Sequence, residues 1–214
     1  MNDRGLRCPP GPNVSVAAEG AAVYRGAMQG NENNGGARVV AEGRFLRFVV
    51  RNGWEYVERR KVSGIVVLIA ATRSGSLLLV TQPREPVGGR VVELPAGLAG
   101  DEDAFEGESL AAAARRELLE ETGFEAARVE PVVSGPPSAG VSSEVVTLYW
   151  APDCVRTARG GGVGNEKIRV HAVPLRRVEE WLGRMQRLGF QIDPKVLAGL
   201  YVARHRLRPK GDRP

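Results

Sequence analysis

The chain has 214 residues, of which 43% are hydrophobic and 26% charged; this composition excludes bulk disorder, collagen-like repeats and a continuous coiled coil. The length suits one domain with a small appended subdomain and can bury a core without disulfides or a structural metal. The net charge of +5 is concentrated at the end, where Arg204, Arg206, Arg208, Lys210 and Arg213 face only Asp212.

That basic tail (204–214) has no interleaved aromatic residues, so it reads as a solvated extension and not as a nucleic-acid arm. The longest apolar run, Ile65 to Ala71, falls far short of the ~20 residues a membrane helix needs. The opening MNDRGLRCPPGPN has no apolar leader core. Two cysteines, Cys8 and Cys154, make neither a disulfide framework nor a zinc site. The expectation is a cytoplasmic protein with no membrane contact.

Residues 1–37 are rich in Gly, Asn, Pro and Ala and include NENNGG, a loop or linker signal. They are read as disordered or loosely ordered. Residues 38–60 change character. Phe45, Arg47 and Val49 alternate with Leu46, Phe48 and Val50, and Asn52-Gly53 is a tight-turn dipeptide. This predicts two strands forming a small antiparallel subdomain.

Residues 61–203 form the main domain. IVVLIAAT and LLLVTQ read as buried strands joined by a turn at Arg73–Ser76, and VVELPAG as a short strand ended by Pro95 and Gly97. An acidic loop, GLAGDEDAFEGE, leads to an alanine-rich helix from about Ser109 to Thr122, with Gly123 as its C-cap. Strands follow near 128–134 and 144–150. RGGGVGN reads as a flexible loop; it lacks the Lys-Ser/Thr ending of a phosphate-cradling loop. IRVHAVPL is a further strand. Val178, Trp181, Leu182, Met185 and Leu188 make a helical stripe. Asp193-Pro194 opens a last helix through Tyr201. Mixed strands and helices in this order predict an α/β layered domain.

The most informative segment is RRELLEETGF, residues 115–124. On a helix, Glu117 and Glu121 stand one turn apart, and Glu120 lies within about 100° of both around the axis. Like charges at that spacing weaken a helix. A hard divalent cation gives a reason to concentrate them, since magnesium prefers oxygen ligands and keeps open positions for water and phosphate. The competing reading is a charged solvated face on which Arg116 and Glu120 simply pair.

These residues resemble the Nudix signature G-x5-E-x7-R-E-U-x-E-E-x-G-U, where U is bulky and apolar. Glu108, Arg116, Glu117, Leu118, Glu120, Glu121, Gly123 and Phe124 match in spacing. Gly97 is the natural first glycine, but ten residues instead of five separate it from Glu108. The excess reads as an insertion ahead of the helix that alters the entrance more than the metal geometry. From Val39 to Tyr201 the order WEYVER, LLLVTQPREPV, VELPAG, GPPSAGVSSE, EKIRVHAVPL and IDPKVLAGLY is similar to the branch of ADP-ribose pyrophosphatases and related nucleoside-diphosphate-sugar hydrolases.

The resemblance implies a Nudix α/β/α sandwich with a mixed sheet, and a homodimer formed through the N-terminal strands. It implies Mg2+, with Mn2+ as the alternative, held by Glu117, Glu120, Glu121 and the backbone carbonyl of Ala96. Gly97, Glu108, Arg116 and Gly123 would be structural. Arg84 would bind phosphate; otherwise it is a rim residue paired with Glu85. Trp54 and Glu55 would hold the nucleobase; otherwise Trp54 is packing. Glu166 is the first choice of general base and Glu144 the second, while His171 reads as structural. The expected reaction is pyrophosphate hydrolysis of ADP-ribose or a similar nucleotide sugar, giving a nucleoside monophosphate and a sugar phosphate. Other substrates within the fold are dinucleoside polyphosphates, coenzyme A and RNA 5′ ends. A non-catalytic nucleotide-sensing domain is the remaining alternative.

Overall fold

The structure, a computed structural model, describes residues 36–100, 107–164 and 166–207. The expectations for residues 1–35, for most of the lengthened acidic loop (101–106) and for the end of the basic tail (208–214) lie outside the described residues.

Three strands, not two, open the described chain: β1 (Arg38–Glu42), β2 (Leu46–Arg51) and β3 (Trp54–Arg59), in an antiparallel sheet of that order. The predicted first strand is broken at Gly43, whose N–H returns to the Leu46 carbonyl at 2.8 Å. The β2–β3 turn is the Asn52-Gly53 dipeptide, with φ of 52° and 80°, as a two-residue hairpin of the primed type requires.

The main sheet is mixed. β4 (Gly64–Thr72) lies at its centre, antiparallel to β5 (Ser76–Arg84) and parallel to β10 (Val146–Arg156). β5 continues to β6 (Gly89–Glu93) and also pairs with β11 (Arg169–Pro174). The segment after Pro95 does not end in a turn: Ala96–Ala99 is a strand, β7, antiparallel to β4. β10 runs six residues beyond its expected end and carries β8 (Phe124–Glu125) and β9 (Glu130–Gly135). β12 (Gln191–Ile192) extends the β6 edge. The β4 sequence GIVVLIAAT is apolar throughout because both of its faces are covered.

Parity along the strands sorts the core into two layers. Val66, Leu68, Ala70 and Leu78 pack with Ala113, Ala114 and Leu118 of helix α1 (Leu110–Thr122). Val67, Ile69, Ala71, Leu77 and Leu79 pack with α2 (Val178–Arg187) and α3 (Lys195–Leu207) on the other face. The result is an α/β/α sandwich. The α2 stripe stops at Met185: Leu188 lies past the helix end and is exposed. α3 continues six residues beyond Tyr201, because Ala203 is buried, Arg204 reaches Glu179 at 3.0 Å and Arg206 reaches Glu130 at 3.3 Å. Those basic residues therefore belong to a packed helix and not to a frayed tail.

Helix α1 has caps at both ends. Ser109 Oγ accepts from Ala112 N–H at 3.2 Å. Gly123 adopts φ +73°, and its N–H closes on the Leu119 carbonyl at 2.8 Å. Leu118 has no exposed surface and fastens the middle of the helix to β4. Leu118→Ala is expected to cost roughly 2–5 kcal/mol, read as a lowered midpoint in urea unfolding at unchanged slope.

Candidate active site

The site lies where α1 crosses β7. Gly97 has no side chain, and the Glu117 carboxyl fills the space: a Cβ on Gly97 would lie 1.8 Å from Glu117 Cδ. One turn on, Glu121 is only 5% exposed, and its Oε2 accepts the Ala96 N–H at 3.0 Å. Ala96 thus meets the carboxylate helix through its N–H.

Arg116 holds the acidic face together. Its guanidinium donates to Glu108 at 2.7 Å, Glu117 at 2.8 Å, Glu120 at 3.1 Å and the Leu98 carbonyl at 2.9 Å. Burial works against the charged Arg116, but the bonds and charges of Glu108 and Glu117 outweigh it and raise its pKa. The i, i+4 pairing of Arg116 with Glu120 is therefore present, as one arm of a larger cluster. Among the described residues no three acidic, His or Cys side chains converge on a single cation position.

Burial, the neighbouring charge of Glu117 and that of Glu166 push the Glu121 carboxyl up to about 8; the Ala96 N–H and the Arg84 charge oppose the shift. Carboxylate oxygens and a surplus of acidic groups over the one guanidinium of Arg116 suit a hard divalent cation. Glu117 and Glu121 can supply carboxylate oxygens, and Glu120 can join them by leaving Arg116.

The glycine-rich loop after β10 is docked, not free. Gly161 and Gly162 donate their N–H groups to the carbonyls of Glu121 (2.8 Å) and Glu120 (3.0 Å), while Thr157 and Ala158 donate to Gly123. Gly123 and this loop pass at backbone contact: a Cβ on Gly123 would lie 2.3 Å from the Ala158 carbonyl oxygen. Further along, Glu166 Oε2 accepts the Val163 N–H at 2.9 Å, and a Cβ on Gly162 would lie 2.3 Å from it. The loop so carries Glu166 to within electrostatic range of Glu121.

The other predicted residues are spread more widely. Arg84 pairs with Glu93, not Glu85, and its charge reaches Glu121. Glu144 is held by Arg59 of β3 at 2.8 Å. Trp54 is 65% exposed and lines an open cleft with Arg51, Tyr56, Ser142 and Ser143. Glu55 follows it on the strand and so faces the opposite side of the sheet. His171 lies on the α2 face, bonded to Thr81 Oγ1 at 3.0 Å and with its ring 5.0 Å from Trp181. Burial, then Arg169 and Arg90, lower its pKa. Sequence reasoning missed Glu93 and the docking of the glycine loop. The only trace of Glu93 is an acidic residue in VELPAG, whose partner depends on strand register.

The raised Glu121 pKa fixes a sign. The native state holds a proton between the ordinary value of 4.5 and about 8, where the unfolded chain does not, so this contribution is full below 4.5 and is lost as pH rises through 8. With metal chelated, the thermal midpoint of the wild type should fall by several degrees from pH 5 to 8.5 relative to Glu121→Gln; parallel profiles would contradict the shift.

The NUDIX domain family model matches residues 59–188, more than half of the chain. Three curated relatives are a methanol dehydrogenase activator of Bacillus methanolicus (33% identical over 49% of this chain and 54% of the relative), an ADP-ribose pyrophosphatase of Bacillus subtilis strain 168 (33%, 44% and 48%) and an ADP-sugar pyrophosphatase of Mus musculus (35%, 67% and 66%). The chain spans about half to two thirds of the length of these relatives. The crystal structure of an ADP compounds hydrolase shares the fold, with a TM-score of 0.60 at 21% identity over 80% of this chain and 91% of that one. With Glu117 of the signature packed against Gly97, Glu121 bonded to Ala96 and a family match across the sandwich, the chain belongs to the Nudix family.

Proposed function

We propose that the protein is a divalent-metal-dependent pyrophosphohydrolase of nucleoside diphosphate sugars, ADP-ribose among them. The observation that carries this reading is the buried Glu121 beside Glu117, with the Arg84 guanidinium within electrostatic reach. The names of the B. subtilis and mouse relatives support the substrate class.

Glu117 and Glu121 would hold the cation, with Glu120 and the Ala96 carbonyl as further donors. Mg2+ is the proposed ion, with Mn2+ the alternative. When bound, the cation neutralises pyrophosphate charge and acidifies water. The chain's own residues do the rest. Arg84 binds a phosphate oxygen; a planar guanidinium suits that contact. Trp54 stacks on the nucleobase, with Glu55 placed to serve a base only from the other side of its strand. Glu166, carried on the docked loop, takes the proton from the attacking water. Glu144 is the second candidate, though its pair with Arg59 gives it a structural occupation. Glu108, Arg116, Gly97 and Gly123 keep the helix in place. Products are a nucleoside monophosphate and a sugar phosphate.

The working form is proposed to be a cytoplasmic homodimer. Val39, Val40, Phe45, Leu46 and Trp54 are all exposed on β1–β3 or the adjoining turn, an apolar surface that a second copy would cover. No described helix is long and apolar enough to cross a membrane. Light scattering is expected to give twice the chain mass of 23.0 kDa.

The deciding experiment is product release from ADP-ribose, ADP-glucose, GDP-mannose, UDP-glucose, a dinucleoside polyphosphate and capped RNA with Mg2+. Turnover of one or more nucleotide sugars should fall by at least about a hundredfold in Glu121→Gln. Binding without turnover of any substrate would overturn the hydrolase reading.

A further inference from the structure

Arg84 closes β5, and its directly opposed neighbour on β6 is Gly89. Val80 opposes Glu93 and Gln82 opposes Val91, so Arg84 and Glu93 share one face of the sheet. It is the face of Leu78, which α1 covers. The Arg84 side chain turns back over the Gln82–Val91 pair and meets Glu93 with two bonds: Nε donates to Oε2 at 2.9 Å and Nη2 donates to Oε1 at 3.1 Å. Glu93 is sheltered at 13% side-chain exposure, while Arg84 is 43% exposed.

This side-on pairing uses one edge of the fork. The Nη1/Nη2 edge keeps its remaining donors, and they can grip a phosphate bidentately without breaking the pair. Glu93 also lies three residues before Ala96, whose N–H binds Glu121. The end of β6 and the start of β7, joined through Leu94 and Pro95, thus carry both the carboxylate that holds Arg84 and the amide that holds Glu121.

We propose that Glu93 is a positioning residue: it fixes the Arg84 guanidinium so that its free edge faces the substrate phosphate beside Glu117 and Glu121. A mobile arginine would have to be ordered at each binding event; this one is ordered beforehand. The inference rests on the substrate class proposed above. An ordinary surface ion pair would contribute a little stability and nothing to substrate affinity.

The test uses the full chain with ADP-ribose and Mg2+, comparing wild type, Glu93→Ala, Glu93→Gln, Arg84→Ala and the Glu93→Ala/Arg84→Ala double variant. Glu93→Ala should raise KM roughly tenfold and leave kcat within about threefold, with Glu93→Gln intermediate. The double variant should be no worse than Arg84→Ala alone, since Glu93 acts through Arg84. Additive effects in the double variant, or an unchanged KM in both Glu93 variants while Arg84→Ala raises it, would overturn the proposal. ADP-ribose affinity measured by calorimetry separates the two readings. Binding without turnover, weakened by Glu93→Ala only when Arg84 is present, sinks the hydrolase and keeps the positioning role. No binding of ADP-ribose sinks both.

Discussion

Repulsion among carboxylates on one short helix is the constraint that the rest of the site answers. Glu117, Glu120 and Glu121 crowd the last two turns of α1, where the helix dipole also disfavours negative charge. Left alone, such a segment would fray. It is held by apolar burial of Ala113, Ala114 and Leu118, by a single arginine shared among three acids, and by hydrogen bonds at both ends. The surplus charge that survives is the feature a cation would relieve. Stability and function are therefore opposed at this helix, and the surrounding structure absorbs the conflict.

The sandwich explains how such a helix stays in register with its partners. β7 presents the Ala96–Gly97 backbone to Glu121 and Glu117 because it is zipped to β4 from Gly64↔Ala99 to Val67↔Ala96. β4 in turn is paired along its length to β10. A carboxylate resting on a glycine thereby inherits the rigidity of the central sheet. The opposite face does different work: His171, Thr81 and Trp181 form a packed polar-aromatic group beneath α2, remote from the carboxylates.

What the sequence made legible was local. The α1 helix could be read from Ser109, the 3.6-residue spacing of its acids and Gly123, because caps and turns depend on neighbours in the chain. The buried strands β4 and β5 announced themselves by composition. What remained hidden depended on register or on distant backbone. Gly43 breaks the first strand only because the chain folds back on Leu46. AGLA looks like a turn after Pro95 until β4 offers it an edge. The final helix runs on to Leu207 because Glu179 and Glu130 wait for its arginines. The Arg84–Glu93 pair joins residues that do not oppose each other directly, so neither strand alone reveals it.

The glycine loop carries one more consequence. Its amides at Gly161 and Gly162 terminate on the carbonyls of Glu121 and Glu120, so loop and helix end form a single hydrogen-bonded unit. Fraying of the last turn of α1 must release those two amides, and lifting of the loop must uncover the helix carbonyls. Solvent exchange at the two positions is then an internal gauge of how often the carboxylate cluster comes apart. A cation that ties Glu120 and Glu121 together would slow that exchange without touching either glycine.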